Sequence, residues 1–185
     1  FLAIEGFIND QDPEGLRAYI RQSMLLFPPK IIRFYCNSVA VNALLCYYEE
    51  QAKTDPIPLS MNISLDQSPP VSETELCLIL GNLLENAIEA CRRMKSKKRF
   101  ISVKLSMASA SILVIQVSNS YEGTIRQAPD GTFLSSKGKD RKGIGLASVL
   151  GTTEKYNGIA RIEYPDQIFK VSLLLNRNDT KCTIH

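Results

Sequence analysis

Two asparagines that stand four residues apart, Asn82 and Asn86, are the residues whose types and spacing point most directly to chemistry. They lie in a segment with helical periodicity, where asparagine is unfavourable because its side chain competes for backbone hydrogen bonds. An amide oxygen is a hard, neutral ligand suited to Mg²⁺, which usually takes one or two protein oxygens beside substrate phosphates. The pair therefore predicts a site for a metal and a phosphate ligand, although two surface asparagines without a function would also fit these residues.

The helix that would position this pair covers residues 72–93. Ser72 and Glu75 form a capping-box pair, and the two prolines just before them prevent an earlier start. At about 100° per residue, the segment has an apolar side and a polar side. The apolar side carries Leu76, Leu80, Leu83, Leu84, Ala87 and Cys91, and the polar side carries Asn82, Glu85, Asn86, Glu89 and Arg93. We expect the apolar face in the core and the polar face at a site, with Glu85 as a candidate catalytic carboxylate. Solvated helix charges are the alternative interpretation of Glu85 and Glu89.

A second candidate feature is the sequence Gly-Ile-Gly-Leu at residues 143–146. Glycines at a junction between a loop and a helix permit close backbone approach, and the helix N-terminus offers free N–H groups to a phosphate. Lys139, Arg141 and Lys142 precede it. The long polar segment of residues 120–142 is typical of a functional lid or of a disordered connection. Together these features predict a phosphate-binding turn beneath a lid, whereas the glycine pattern alone also fits an ordinary turn.

The order of the remaining elements predicts the fold class. Two short helical stretches in residues 1–27 read as a helical hairpin, and two prolines at 28 and 29 mark a boundary. The expected elements after it are a helix at 37–53, a strand at 57–65, the central helix, strands at 100–107 and 111–119, a helix at 143–156, and strands at 159–164 and 168–175. This order predicts an α+β fold, a two-layer sandwich in which one mixed sheet carries its helices on a single face.

Composition excludes several classes of protein. The chain has 185 residues, enough for one domain or for one domain with an appendage, and its 44% hydrophobic and 22% charged residues are typical of a soluble globular protein. A net charge of +3, spread along the sequence, argues against a nucleic-acid partner. The five cysteines show no CxxC spacing, so we interpret them as buried hydrophobic residues in a reducing compartment. No apolar run is long enough to span a membrane.

The motifs also resemble a known family. LGNLLENAIEAC at residues 80–91 resembles the N box of the gyrase/Hsp90/histidine-kinase/MutL (GHKL) superfamily, and GIGLASV at 143–149 resembles its second glycine box. Val-Ser-Asn-Ser at 117–120, followed by Ser-Ser-Lys at 135–137, is most similar to sensor histidine kinases of the peptide quorum-sensing (Agr-type) class. The resemblance covers residues 30–176. It implies a Bergerat-type fold with ATP and Mg²⁺ as cofactors.

The resemblance implies a role for each residue at the metal end of the site. Asn86 takes the position of the family's Mg²⁺ ligand. Asn82 takes the position that holds a catalytic glutamate in gyrase-like members and is commonly asparagine in kinases. A carboxylate there could activate water, but an amide can only orient phosphate or metal, so the residue favours a kinase over a hydrolase.

The resemblance also implies roles for residues at the adenine and phosphate ends of the nucleotide site. Asn119 stands where the family's adenine-reading aspartate lies, and its amide oxygen could accept the adenine amino hydrogen. The glycines of the first glycine box are absent around it. The implied phosphate contacts are Lys137, Lys142, Gly143 and Gly145.

The resemblance implies that this chain is the cytoplasmic portion of a bacterial membrane sensor kinase, which would reach the membrane only through an N-terminal sensor region outside this sequence. Residues 1–29 would be the remnant of dimerising phosphotransfer helices, 30–176 the ATP-binding domain and 177–185 a frayed tail. The intact homodimer would pass the ATP γ-phosphate to a histidine and then to a response regulator. Because the one histidine is His185 in the tail, we expect no autophosphorylation by this chain alone. Two alternatives stay open: a GHKL ATP hydrolase, and a non-catalytic dimerisation module with a degenerate nucleotide site.

Overall fold

The computed structural model describes residues 12–26, 33–65, 68–125, 127, 133 and 144–177. The chain divides into two compact units, residues 1–33 and residues 34–185. In the first unit, helix α1 (Pro13–Leu26) begins as the sequence predicts, because Asp12 accepts the Gly15 N–H through its side chain at 2.8 Å and proline opens the first turn. The helical stretch predicted before α1 lies outside the described residues.

The second unit contains three described helices, which are α2 (Val39–Thr54), α3 (Glu73–Arg93) and α4 (Ile144–Lys155). Ser38 caps α2 by accepting the Val41 N–H at 3.1 Å. Ser72 caps α3, since its hydroxyl oxygen accepts the Glu75 N–H at 3.3 Å. The central helix therefore starts at the residue that the capping pattern predicts. None of the helices in the described ranges has the length and apolar character needed to cross a membrane.

Five strands form one mixed sheet with the order β1-β2-β3-β5-β4. The strands are β1 (Leu59–Ser64), β2 (Ile101–Ser109), β3 (Ile112–Ser120), β4 (Ile159–Glu163) and β5 (Ile168–Asn176). Strand β1 pairs in parallel with β2, to which α3 connects it, and every other neighbouring pair is antiparallel. A short 3₁₀ turn, Pro165–Gln167, joins β4 to β5.

The core lies between one face of this sheet and the helices. The fully buried positions of the three central strands alternate, so they share a face: Ile101, Val103, Leu105, Leu113, Ile115, Val117, Val171, Leu173 and Leu175. Helix α3 packs on β3 and lies between α2 and α4. All six apolar positions predicted for α3 are buried, together with Ile79 and Ile88. The predicted α+β class, a mixed sheet covered by helices, is confirmed.

Candidate nucleotide site

The polar face of α3 carries the two asparagines from which the sequence argument started. Asn86 is exposed and Asn82 half-buried, while Leu83 and Leu84 between them are buried in the core. Among the described residues, none hydrogen-bonds to the side-chain amide of Asn86. The amide oxygen of Asn86 therefore lies at the surface of a helix with a buried apolar face and accepts no hydrogen bond from a described protein donor, which leaves it available to a ligand.

The first turn of α4 lies directly against Asn82. A Cβ atom built on Gly145 would lie 2.9 Å from the Oδ1 of Asn82 and 3.4 Å from its Cγ. Glycine at this position therefore permits α3 and α4 to approach closely. This approach brings the N-terminal end of α4 to the amide-bearing face of α3. The first N–H groups of a helix lack intrahelical partners and favour an anionic ligand. The structure thus brings together two of the predicted site residues that are distant in sequence.

Asn119 lies at the far end of β3, on the face of the sheet that the helices cover. It is 4% exposed, and its Nδ2 donates a hydrogen bond to the backbone oxygen of Ser120 at 2.9 Å. That bond leaves the amide oxygen as the acceptor, and no described residue donates to it. Asn119 is in register with Ile101 on β2 and with Phe169 on β5. An acceptor on a largely buried side chain, next to two apolar strand positions, is an arrangement that suits a planar base with an amino group.

An aromatic cluster borders this end of the sheet. The ring of Phe133 lies 5.9 Å from that of Phe169 and 6.2 Å from that of Tyr164, edge to face in both cases. Phe133 also forms an antiparallel bridge with Gln127. Phe133, near the middle of the predicted lid, therefore contacts the strand residue that pairs with Asn119. The sequence analysis did not predict this contact. The signal that could have indicated it is Phe133 itself, an isolated phenylalanine in a polar segment.

Glu85, the predicted catalytic carboxylate, is tied to α2. The Tyr48 hydroxyl lies 3.3 Å from Glu85 Oε2 and 3.2 Å from the backbone oxygen of Gly81, and it shares its hydrogen between them. Burial of the ring, with a further contribution from the Glu85 charge, raises the pKa of Tyr48 to about 12. Tyr48 therefore remains a neutral donor at physiological pH and restricts the orientation of the Glu85 side chain.

The start of the long loop after β3 is fixed by a second carboxylate. Glu122 accepts the backbone N–H groups of Lys95 and Ser96 at 2.8 and 2.9 Å, and these bonds hold its pKa below the ordinary value. The Ser120 hydroxyl oxygen accepts the Phe100 N–H at 3.0 Å. These bonds join the end of β3, which carries Asn119, to the connection between α3 and β2. Lys137, Lys142 and Gly143 lie outside the described residues, so their predicted phosphate contacts stay predictions.

Residues 72–176, more than half of the chain, match the sequence profile of the GHKL domain. The chain belongs to the GHKL domain family, the superfamily that the two motifs on α3 and α4 predict. No curated protein sequence matches it.

Solved structures with a similar fold include several histidine kinases. The catalytic domain of the histidine kinase ThkA has a TM-score of 0.54 at 16% identity, covering 75% of this chain and 91% of that one. The histidine kinase AdeS of Acinetobacter baumannii has a TM-score of 0.54 at 14% identity, covering 95% and 84%. Full-length ShkA, solved in complex with AMPPNP, has a TM-score of 0.52 at 19% identity, covering 79% of this chain and 32% of that one. At these identities the likeness establishes the fold, which is that of histidine kinase catalytic domains.

Proposed function

We propose that this chain contains the ATP-binding catalytic domain of a sensor histidine kinase of the peptide quorum-sensing class. In the intact protein, the γ-phosphate of ATP would pass to a histidine that this sequence does not contain and then to a response regulator. Membership of the GHKL family and the fold shared with histidine kinase catalytic domains support this proposal. The observation that carries it is the contact between Gly145 and Asn82, since it places a helix N-terminus beside the asparagine pair.

The residues at this face fit a magnesium–phosphate group. Mg²⁺ keeps several waters and is held in nucleotide sites by one or two protein oxygens together with the phosphates, so a single exposed amide such as Asn86 is a sufficient protein ligand. Asn82, half-buried against Gly145, would orient the phosphates or the metal. Bound Mg²⁺ would supply electrostatic neutralisation of phosphate charge. Because neither amide can accept a proton, these two residues favour positioning for transfer over activation of water.

The remaining assignments complete the site. Asn119 would accept a hydrogen bond from the adenine amino group, with the aromatic cluster of Phe133, Tyr164 and Phe169 bordering the base. Glu85, oriented by Tyr48, is the catalytic carboxylate of the proposal. Gly143, Lys137 and Lys142 would meet the phosphates. ShkA, which shares the fold, binds AMPPNP in its solved structure, and this supports a nucleotide ligand here.

The proposal also covers the rest of the chain. Residues 1–29 would belong to the dimerising and phosphotransfer helices, residues 30–176 to the catalytic domain, and residues 177–185 to a tail. The intact protein would be a homodimer whose response regulator and membrane-bound sensor region complete the signalling pathway, with this part in the cytoplasm. These assignments come from the motif resemblance.

Calorimetric titration of AMPPNP, with and without Mg²⁺, tests the nucleotide site. We expect Mg²⁺-dependent binding to the parent protein and affinity about tenfold weaker in Asn86→Ala, since one metal ligand is lost. Asn62→Ala is the matched control, because Asn62 is an exposed asparagine on β1, which is an edge strand of the sheet. A folded parent that binds no AMPPNP would contradict the proposal. Steady ATP turnover by the parent alone would instead favour the hydrolase alternative.

A further inference from the structure

Four residues join the beginning of α3 to the end of α4. Lys155, the last residue of α4, donates from Nζ to Glu75 Oε1 at 2.6 Å. The hydroxyl of Tyr156, the next residue, donates to Glu75 Oε2. Ser72 donates twice, from its hydroxyl to Glu75 Oε2 at 2.6 Å and from its backbone N–H to the Tyr156 hydroxyl oxygen at 3.1 Å. We call these four residues the Glu75 cluster.

The Glu75 cluster is partly shielded from water and charged. Tyr156 is 6% exposed and the side chain of Glu75 is 22% exposed, whereas that of Lys155 is 60% exposed. The bonds from Lys155, Ser72 and Tyr156 lower the pKa of Glu75 to about 2, so its carboxylate is ionised at neutral pH. Hydrogen bonds to a charged acceptor are shorter and stronger than neutral ones. The cluster is therefore a firm attachment at the C-terminal end of α4.

The two ends of α4 thus contact α3 at two separate places. Glu75 meets the end of α4, and Asn82, further along α3, meets Gly145 at its beginning, so the helices run antiparallel. At 1.5 Å per residue, the two contacts are about 10 Å apart on α3 and about 15 Å apart on α4. A rotation of α4 by about 5° around the Glu75 cluster would displace its first turn by roughly 1.3 Å. Displacements of this size are enough to weaken a positioned site.

We infer that the Glu75 cluster is a positioning device for the nucleotide site, in which Glu75 and Tyr156 hold α4 so that its N-terminus meets Asn82 and the nucleotide phosphates. The inference rests on the proposed function and adds to it residues that do not touch the ligand. It assigns a role to Glu75 in the first turn of α3, and to Lys155 and Tyr156 at the C-terminal end of α4, which is opposite the glycine motif. Because the device acts on the first turn of α4, its loss affects the phosphates and spares the base.

The test compares two probes, AMPPNP with Mg²⁺ and adenosine, which lacks phosphates. Tyr156→Phe keeps the buried ring and removes the hydroxyl that bonds Glu75 and Ser72. We expect its affinity for AMPPNP to fall about fivefold, the factor that corresponds to one net hydrogen bond, while its affinity for adenosine stays at the parental value. A residue that only stabilises the fold would change neither affinity, or both together.

Lys155→Met and Lys53→Met form the matched pair for charge. Both lysine side chains are paired with glutamate and are similarly exposed, at 60% and 58%, but Lys53 lies on α2 and pairs with Glu49 and Glu50. Each variant removes one positive charge, so the change in net charge is the same in both. We expect only Lys155→Met to weaken AMPPNP binding, and this comparison still applies if Tyr156→Phe fails to fold.

The outcomes separate the two proposals. A parent that binds AMPPNP and a Tyr156→Phe variant that binds it equally well would overturn the positioning role alone. Equal losses for AMPPNP and adenosine, or equal losses in Lys155→Met and Lys53→Met, would also overturn it. A folded parent that binds neither probe would overturn the proposed function and the positioning role together.

Discussion

Replacing Gly145 with alanine separates the stability of α4 from the geometry of the site. The added Cβ would lie 2.9 Å from Asn82 Oδ1 and 3.4 Å from Asn82 Cγ, so the amide must move by roughly half an ångström to restore ordinary contact. The atoms that must move belong to a side chain, and alanine is the better helix former by up to about 1 kcal/mol. We therefore expect an unfolding free energy equal to or slightly above that of the parent.

Binding should change in the opposite direction. Displacing the Asn82 amide and lifting the first turn of α4 should weaken AMPPNP binding about tenfold, which is about 1.4 kcal/mol. Gly151→Ala is the control, because Gly151 lies in the same helix and a Cβ there meets nothing within 4 Å. It should raise the unfolding free energy by about 0.5–1 kcal/mol and leave binding unchanged.

Urea unfolding followed by circular dichroism gives the stabilities, and calorimetry with AMPPNP and Mg²⁺ gives the affinities. The double variant Asn82→Ala/Gly145→Ala completes a cycle with the two single variants, and its two changes should be non-additive because the added Cβ meets the Asn82 amide. Equal affinities of Gly145→Ala and Gly151→Ala would refute the claim that the contact between Gly145 and Asn82 belongs to the site.

Three further predictions concern stability. Gly158→Ala places a Cβ 2.3 Å from the backbone oxygen of Leu174 and 2.9 Å from that of Thr153, so urea unfolding should show a loss of about 3 kcal/mol. Tyr48→Phe should cost about 1 kcal/mol at neutral pH. Because the pKa of Tyr48 is raised from 10.0 to about 12, the parent's advantage over this variant should disappear as pH rises between those values, and a constant difference would contradict it. Because the pKa of Glu75 is lowered from 4.5 to about 2, the parent's advantage over Glu75→Gln should persist above pH 4.5 and vanish as pH falls towards 2 in acid unfolding experiments.

Local sequence rules predicted the central helix and its buried face because capping and periodicity are local properties. Ile79 and Ile88 extend the buried stripe beyond the predicted one, since α3 is covered by α2 on one side and by α4 on the other as well as by the sheet. The number of neighbours around a helix cannot be read from its own sequence. The predicted buried positions of α3 were therefore all correct, but the buried face is wider than predicted.

The boundaries of two strands differ from those predicted, and each difference has a local cause. β1 begins at Leu59, two residues later than expected, after the Pro56-Ile57-Pro58 segment, in which proline lacks an N–H for the ladder. The hairpin turn lies at Ala110 and Ser111 instead of residues 108–110, because a register irregularity between Met107 and Ser109 lengthens β2.

The capping box shows where local rules meet tertiary structure. The pattern of Ser72 and Glu75 predicts that the Glu75 carboxylate bonds the Ser72 backbone N–H. In the structure that N–H donates to Tyr156, and Glu75 instead accepts from Lys155, Tyr156 and the Ser72 hydroxyl. A partner about eighty residues away in sequence has replaced the local one, so helix capping was predictable and the Glu75 cluster was not.

The candidate site was predictable to the extent that its residues are carried by motifs. Asn82 and Gly145 stand in separate motifs, and the structure places them in contact. Asn119 was identified from the resemblance, and the strand register supplies its neighbours Ile101 and Phe169. Tyr48 belongs to no motif, and its bond to Glu85 depends on how α2 packs against α3. Long-range packing accounts for each of the missed contacts.

Helix α3 connects the stability of the fold with the geometry of the site, and this determines which substitutions can inform on function. Leu84 is fully buried, and Leu84→Ala would cost about 2–5 kcal/mol, a large part of the 5–15 kcal/mol that typically separates the folded and unfolded states. A loss of nucleotide binding in Leu84→Ala would therefore show that the protein had unfolded and would say nothing about the site. Asn86 is exposed, Gly145 faces the side-chain amide of Asn82, and Tyr156 reaches Glu75 through its hydroxyl. Asn86→Ala, Gly145→Ala and Tyr156→Phe can alter nucleotide binding while the apolar core remains intact, so they can test the proposed kinase site.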